Sequence, residues 1–172
     1  MSELIRFYFG MGADGKGRML AAIHDWDHEA LEHVPDYIQW LFPLARPSRC
    51  SQRAPVLTVE DIEWFRTSRF LRRKLLGSFE LMLDFFGFEL TEDHGTPCVS
   101  CRNDVSPTTP WLNPENHNMV RITRILKSMS LLGLRDYAGA FLQCLEALDE
   151  GDARQVIDPA TMRVWRDAVR PH

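Results

Sequence analysis

The chain has 172 residues, 45% of them hydrophobic, and is long enough to bury a core without metals or disulfides. Twenty basic and 24 acidic residues give a net charge of −4, which excludes a general attraction of the whole molecule to nucleic acid or anionic lipid. Because no stretch reaches the roughly 20 apolar residues that span a bilayer, we expect a soluble protein.

The first quarter of the chain predicts short helices separated by turns. A glycine-rich turn ends at Gly17, and a helical pattern begins near Met19. Asp27 is a suitable cap for a second short helix. Residues 37–43 predict one or two helical turns ended by a proline, and residues 43–55 a proline-rich loop.

A longer helix is predicted from Thr58, whose spacing to Asp61 is typical of a capping box. This helix, either continuous or joined near Gly77, should end before Gly87, which suits the left-handed conformation that closes many helices. Residues 91–110 hold three prolines and two cysteines without a helical period, so we expect a loop there.

Three further helices complete the prediction. Residues 113–133 and 158–169 each begin with a capping side chain before a proline, and residues 136–150 end at a glycine. We therefore expect an all-α single domain over residues 1–172, an orthogonal bundle of about six to eight helices with long Pro-rich loops.

The glycine-rich turn resembles nucleotide-binding motifs. Residues 10–15 match a dinucleotide fingerprint, and residues 10–16 match most of a P-loop. Both motifs require a preceding strand, and a P-loop also requires Ser or Thr where Gly17 stands. We expect no nucleotide and no other cofactor.

Two histidines hint at a metal site, because His24 and His28 have the spacing that places two imidazoles on one helical face. However, Asp27 should interrupt the helix between them. We therefore expect no bound metal.

Cysteine usage favours a reducing compartment. Cys98 and Cys101 form a C-x-x-C pair without the second pair of a structural zinc site, although His94 or His117 could complete one. The chain starts without a basic and apolar leader, so we expect reduced thiols in the cytoplasm.

Two groups of basic side chains are candidate binding sites. His117, Arg121, Arg124 and Ser128 share one side of a predicted helix and form a ridge of donors that could hold a carboxylate or phosphate. A second cluster, the basic patch, contains Arg66, Arg69 and Arg73. For both groups the alternative is a solvated helix surface, and we do not expect nucleic acid to bind.

Several blocks of the sequence resemble the opioid growth factor receptor conserved region. An opening block at Asp36–Leu44 and Ala54–Thr58 is followed in the expected order by Ser78–Gly87, Asn116–Ser128 and Leu132–Leu134. The resemblance implies an all-α domain, which in the animal receptor is associated with binding Met-enkephalin and restraining cell growth. It also implies no relation to seven-helix opioid receptors. We expect a stand-alone, bacterial member, and the family supplies no catalytic motif to transfer.

These observations favour a module that binds a peptide or protein segment over an enzyme. We expect Tyr37, Gln39 and Trp40 to form an aromatic surface beside Arg121 and Arg124, since interfaces favour aromatic and arginine anchors. The alternative for Trp40 is core packing. The second hypothesis is an enzyme or small-anion-binding protein in which His117 acts as acid or base and the two arginines hold negative charge. The oligomeric state stays open.

Overall fold

The structure is a computed structural model that describes residues 1–48, 53–102, 109–112, 116–151 and 157–170. Within these ranges the chain forms nine α-helices, one 3-10 turn and one two-stranded antiparallel sheet. It divides into two compact units, Met1–Leu81 and Met82–His172. Each unit is described by itself, and the single domain over residues 1–172 stays a prediction.

The first unit is built from short helices. Its described residues contain α1 (Glu3–Tyr8), α2 (Leu20–His24), α3 (His28–His33), α4 (Ile38–Leu41), α5 (Val59–Thr67) and the first part of α6 (Arg69–Phe86). Helices α2, α3 and α4 lie where they were predicted, and Asp27 caps α3 by accepting from the Ala30 N–H at 2.8 Å. Helix α1 was not predicted, although Ser2 caps it by accepting from the Ile5 N–H at 3.1 Å.

The capping box at the start of α5 is confirmed. The Thr58 hydroxyl accepts from the Asp61 N–H at 3.1 Å, and the Asp61 carboxylate accepts from the Thr58 N–H at 3.0 Å. Asp61 also accepts from the Ser2 hydroxyl at 2.6 Å, so one buried carboxylate closes the start of α5 and holds α1 against it.

The predicted junction near Gly77 is wrong, because the helices separate at Ser68. Ser68 has an extended backbone, with φ −86° and ψ 112°, and its side chain accepts from the Leu71 N–H at 3.3 Å. A serine cap therefore ends one helix and begins the next. Gly77 lies inside α6, and Gly87 adopts the expected positive φ of 89°.

The second unit combines helices with a hairpin. Its described residues contain the end of α6, strands β1 (Phe88–Asp93) and β2 (Thr96–Cys101), the 3-10 turn Pro110–Leu112, and helices α7 (Asn118–Leu131), α8 (Arg135–Glu150) and α9 (Pro159–Val169). Asp158 caps α9 as predicted, accepting from the Thr161 N–H at 3.1 Å. The start of α7 was predicted at Asn113 and Pro114, which lie outside the described residues.

The hairpin overturns the all-α fold class. Strands β1 and β2 pair antiparallel, with Asp93 opposite Thr96, in the segment predicted as a loop. The connecting His94 and Gly95 both have positive φ, 48° and 82°, as a type I′ hairpin turn requires. The fold is mostly helical with a small sheet, and its nine described helices exceed the six to eight predicted.

Aromatic side chains form the core of the second unit. Phe88 on β1 contacts Trp111 and Phe141 with ring centroids 5.7 and 5.3 Å apart. The Trp111 indole N–H donates to the Phe86 carbonyl at 2.8 Å, which satisfies an acceptor at the end of α6.

None of the helices in the described ranges has the length and apolar character needed to cross a membrane.

Candidate functional site

The glycine-rich turn between α1 and α2 is organised by Asp14. Its fully covered carboxylate accepts from the Lys16 N–H at 2.8 Å, the Arg18 N–H at 2.9 Å and the Arg18 Nε–H at 2.6 Å. A buried carboxylate is stable only when its oxygens are satisfied. Three donors meet that requirement here, so Asp14 shapes the turn.

Arg18 connects this turn to the start of α4. One guanidinium nitrogen donates to Asp36 at 2.9 Å, and the guanidinium lies 5.5 Å from the centroid of the Trp26 ring. Partial burial lowers the pKa of Arg18, but the hydrogen bonds and charges of Asp36 and Asp14 outweigh it and the pKa lies above its ordinary value. Arg18 therefore stays charged and holds the turn in place.

A pocket of about 220 Å³ opens between α1, this turn and α4. We call it the Trp40 pocket. Helix α1 contributes the exposed side chains of Glu3 and Arg6, and α4 contributes Trp40. The remaining lining residues all belong to the turn: Gly12, Ala13, Asp14 and Gly15.

Two glycines of the turn lie close to the other walls of the pocket. A Cβ on Gly15 would lie 3.9 Å from Trp40 Cζ2, an ordinary contact distance. A Cβ on Gly12 would lie 3.2 Å from Arg6 Cβ, which is tight. The missing side chain at Gly15 leaves space beside the indole and beside Arg53, whose Cβ and carbonyl oxygen would also lie 3.9 Å from the added Cβ.

The predicted aromatic residues of the site lie in the first unit and are buried. Trp40 packs edge to face on Phe7 with ring centroids 5.2 Å apart, and the Tyr37 hydroxyl donates to the Leu31 carbonyl at 2.9 Å. Gln39 is only 7% exposed, and its Oε1 has no hydrogen-bond partner among the described residues. Trp40 thus serves the core and also lines the pocket, while a binding role for all three stays a prediction.

The predicted ridge on α7 lies in the second unit and contains both exposed and buried side chains. His117 is exposed, Arg124 is half-buried and Ser128 is fully buried. Arg121 is 8% exposed, and its Nη1 donates to Asn118 Oδ1 at 3.2 Å. The structure therefore places these four donors in different environments, and their role in binding stays a prediction.

The basic patch is exposed, since Arg66, Arg69 and Arg73 all lie on the surface of α5 or α6. The neighbouring Arg72 has a local role, because its guanidinium donates to the Arg66 carbonyl and, at 3.4 Å, to the Phe65 carbonyl near the end of α5.

His24 occupies a packed position in the first unit. Its Nε2 lies 2.8 Å from the Ser78 hydroxyl, and its ring lies over Gly77, whose added Cβ would be 3.5 Å from His24 Cε1. Burial lowers the pKa of His24, the charge of Lys74 lowers it further, and Asp25 opposes both. Among the residues that the structure describes, no three His, Cys, Asp or Glu side chains are placed to hold a metal ion.

Sequence reasoning missed Glu3, Arg6 and the turn residues that line the Trp40 pocket. The sequence signal for the turn was the glycine spacing that we compared with nucleotide-binding motifs. Those motifs require a strand before the turn, and helix α1 stands there instead. The glycines mark a close approach of backbone and side chains without a phosphate loop.

Comparisons with known proteins identify the chain's relatives. A family model described as the opioid growth factor receptor (OGFr) conserved region matches residues 6–164. The chain is 43% identical to the opioid growth factor receptor of Rattus norvegicus over 117 residues, covering 67% of this chain and 20% of that protein. It is 39% identical to the Homo sapiens receptor over 67% of this chain and 17% of that protein.

A related protein gives a similar match. Opioid growth factor receptor-like protein 1 of Xenopus tropicalis is 40% identical over 111 residues, covering 64% of this chain and 21% of that protein. The chain thus spans about a fifth of the length of these relatives. No solved structure matches it.

Proposed function

Because this chain belongs to the family of the opioid growth factor receptor conserved region, we propose that it is a module that binds a peptide or a segment of a protein. The observation that carries the proposal is the Trp40 pocket, which combines two charges of opposite sign with an indole edge. We propose this pocket as the place where one side chain or one end of the peptide binds.

The size of the pocket favours a peptide residue over a large cofactor. Its volume of about 220 Å³ is below the roughly 300–1,000 Å³ typical of drug-sized ligands. One bulky side chain, or one chain terminus, is the appropriate size for such a space.

The chemistry of the lining also suits a peptide. Glu3 can accept hydrogen bonds from an ammonium group or backbone N–H groups, and Arg6 can donate to a carboxylate or carbonyl. Trp40 offers apolar contact, as in the aromatic hot spots of interfaces.

Two further parts of the proposal concern α7 and the cell compartment. His117 and Arg124, the ridge members with more exposed surface, are proposed to hold a carboxylate of the bound segment or a small anion. A cytoplasmic location is proposed because Cys98 and Cys144 are free thiols, which suits a reducing compartment.

A pocket-filling variant tests the proposal. Gly15→Leu should place a side chain beside Trp40, because the added Cβ would lie at the ordinary contact distance of 3.9 Å from both the indole and Arg53 Cβ. A random library of short peptides would first be screened by NMR for shifts of the Trp40 indole signal. For each peptide found, we expect Gly15→Leu to weaken binding by about tenfold or more, which corresponds to about 1.4 kcal/mol.

The matched control is Ala21→Leu, which adds a leucine on the exposed surface of α2, outside the pocket lining. It should leave the affinity unchanged. A library that moves no Trp40 signal would refute binding at this pocket, as would peptides whose affinity is the same for Gly15→Leu and wild type.

A further inference from the structure

Three aromatic side chains form a partly exposed patch on the first unit. Phe9, which follows α1, stacks on Phe70 of α6 with ring centroids 5.3 Å apart and planes within 9°. Trp64 of α5 contacts Phe9 edge to face at 6.4 Å. Trp64 is 38% exposed and Phe70 46% exposed, so water reaches much of both side chains. We call Phe9, Trp64 and Phe70 the aromatic patch.

Positive charge surrounds Phe70 on the same face of α6. At 100° per residue, Arg69, Phe70, Arg73 and Lys74 lie together, opposite the stripe that contains the buried Leu71 and Leu75. All four are exposed. This face therefore presents one aromatic ring among three cations.

The local charge is the opposite of the charge of the whole chain. From Trp64 to Phe79 there is no acidic residue and there are five basic ones, whereas the chain as a whole carries −4. Lys74 lies 5.5 Å from the centroid of the Phe70 ring, which fixes one cation directly beside the patch. The acidic residues of α5 all precede Trp64.

We propose that the aromatic patch and Arg69, Arg73 and Lys74 form a docking surface for an acidic segment of a partner protein that carries an aromatic or aliphatic side chain. The partner's apolar side chain packs on Phe70 and Trp64, and its carboxylates pair with the flanking cations. Charge complementarity selects an acidic occupant, and exposed aromatic residues beside arginines are the composition of interface hot spots.

This surface is separate from the Trp40 pocket in its residues, and the inference does not rest on the proposed function. None of its members lines that pocket. Single-stranded nucleic acid also binds to surfaces of aromatic rings and cations. However, the net negative charge of the chain repels a polyanion more strongly than a short acidic peptide, because the peptide carries fewer charges.

The test uses two labelled peptides of about twelve residues, the length of a typical extended or helical recognition segment. One repeats Asp-Asp-Phe-Asp-Asp-Leu, and the other has lysine in place of every aspartate. An oligothymidylate of about twelve nucleotides is the third probe. Binding to the full chain is measured by fluorescence anisotropy at low and moderate salt.

We expect the aspartate peptide to bind, with an affinity that falls as salt is raised, and the lysine peptide not to bind. Arg69→Glu combined with Arg73→Glu should weaken binding by about tenfold or more. The control pair, Lys127→Glu and Arg163→Glu, makes the same charge change at exposed positions of α7 and α9 and should have little effect.

Phe70→Ser tests the aromatic contribution against Val164→Ser on α9, because Val164 is 42% exposed and thus comparable with Phe70. Phe70→Ser should weaken binding by about fivefold or more, and circular dichroism checks that both variants fold. The pocket variant Gly15→Leu should bind the aspartate peptide as wild type does. No binding at about 1 mM peptide, equal binding by the charge-reversed pair, or preference for the oligothymidylate would overturn the proposal.

Discussion

Gln39 gives the sharpest prediction for stability, because its amide is buried in α4 and its Oε1 has no partner among the described residues. The change is Gln39→Met. Methionine is unbranched, similar in length and nearly equal to glutamine in helix propensity, so the substitution mainly removes the polar group. The comparison therefore measures the net cost of burying the whole amide group.

The expected magnitude follows from the burial. A desolvated oxygen without a hydrogen bond costs about 1–3 kcal/mol, and an apolar side chain in the same space avoids that cost. Gln39 is 7% exposed, so water offers little compensation. We expect Gln39→Met to raise the free energy of unfolding by about 1–2 kcal/mol, which for a chain of this size raises the Tm by about 2–8 °C.

Urea denaturation followed by both circular dichroism and tryptophan fluorescence measures the change, and agreement of the two signals tests for a single transition. Gln143→Met, at an exposed position of α8, is the control and should change the stability by less than about 0.5 kcal/mol. A Gln39→Met variant that is less stable than wild type would refute the reasoning. If Gln39→Met also binds the selected peptides more weakly, the buried amide of Gln39 lowers the stability of the fold but strengthens peptide binding.

Two further predictions concern α6 and the histidine that packs on it. Gly77→Ala should raise the free energy of unfolding, measured in urea, by about 0.5–1 kcal/mol. The added Cβ would lie at an ordinary distance of 3.5 Å from His24 Cε1. Gly12→Ala is the control and should show no such gain, because its Cβ would lie only 3.2 Å from Arg6 Cβ. Burial and Lys74 hold the pKa of His24 below its ordinary 6.5, so the unfolded chain binds this proton more tightly. The stability contributed by His24 is therefore present above pH 6.5 and lost as the pH falls through the folded pKa. His24→Gln should lose less stability than wild type over that fall, and equal losses would contradict the assignment.

Local signals in the sequence predicted much of the helical structure. The caps at Asp27, Thr58 and Asp158 act within one turn of the chain, so their residue types alone indicate where a helix begins. The division between α5 and α6 depended on a signal of the same kind, the side chain of Ser68. Gly77 was the more conspicuous helix breaker, but packing of α6 keeps it helical.

The hairpin could not be recognised from periodicity, because the residue types of its strands do not reveal which positions alternate between buried and exposed. Val99 on β2 is buried, while Cys98 and Ser100 on either side of it are exposed. Proline and cysteine in this segment suggested a loop, although β2 is an edge strand that tolerates Pro97. The decisive feature is the turn, since His94 and Gly95 both adopt a positive φ although His-Gly is not one of the pairs, such as Asn-Gly or Asp-Gly, that usually mark this turn.

The Trp40 pocket lay beyond local inference for a different reason. Its walls come from α1, from the turn and from α4, three segments brought together by tertiary contacts such as the packing of Phe7 on Trp40 and the ion pairs of Arg18. A sequence pattern marks which residues share a helix face, but it does not show which faces converge. The glycine spacing was visible, whereas the opposing charges of Glu3 and Arg6 acquire meaning only in three dimensions.

The ridge on α7 shows the same limit within one helix. A helical period separates two sides, and the prediction assigned one side to the core and the other to solvent. Helix α7 packs against both α8 and α9, so packing covers more than one stripe. Arg121 and Ser128 are consequently buried, whereas His117 is exposed and Arg124 is half-buried. A ligand that reaches this ridge must therefore contact His117 or Arg124, because packing covers Arg121 and Ser128.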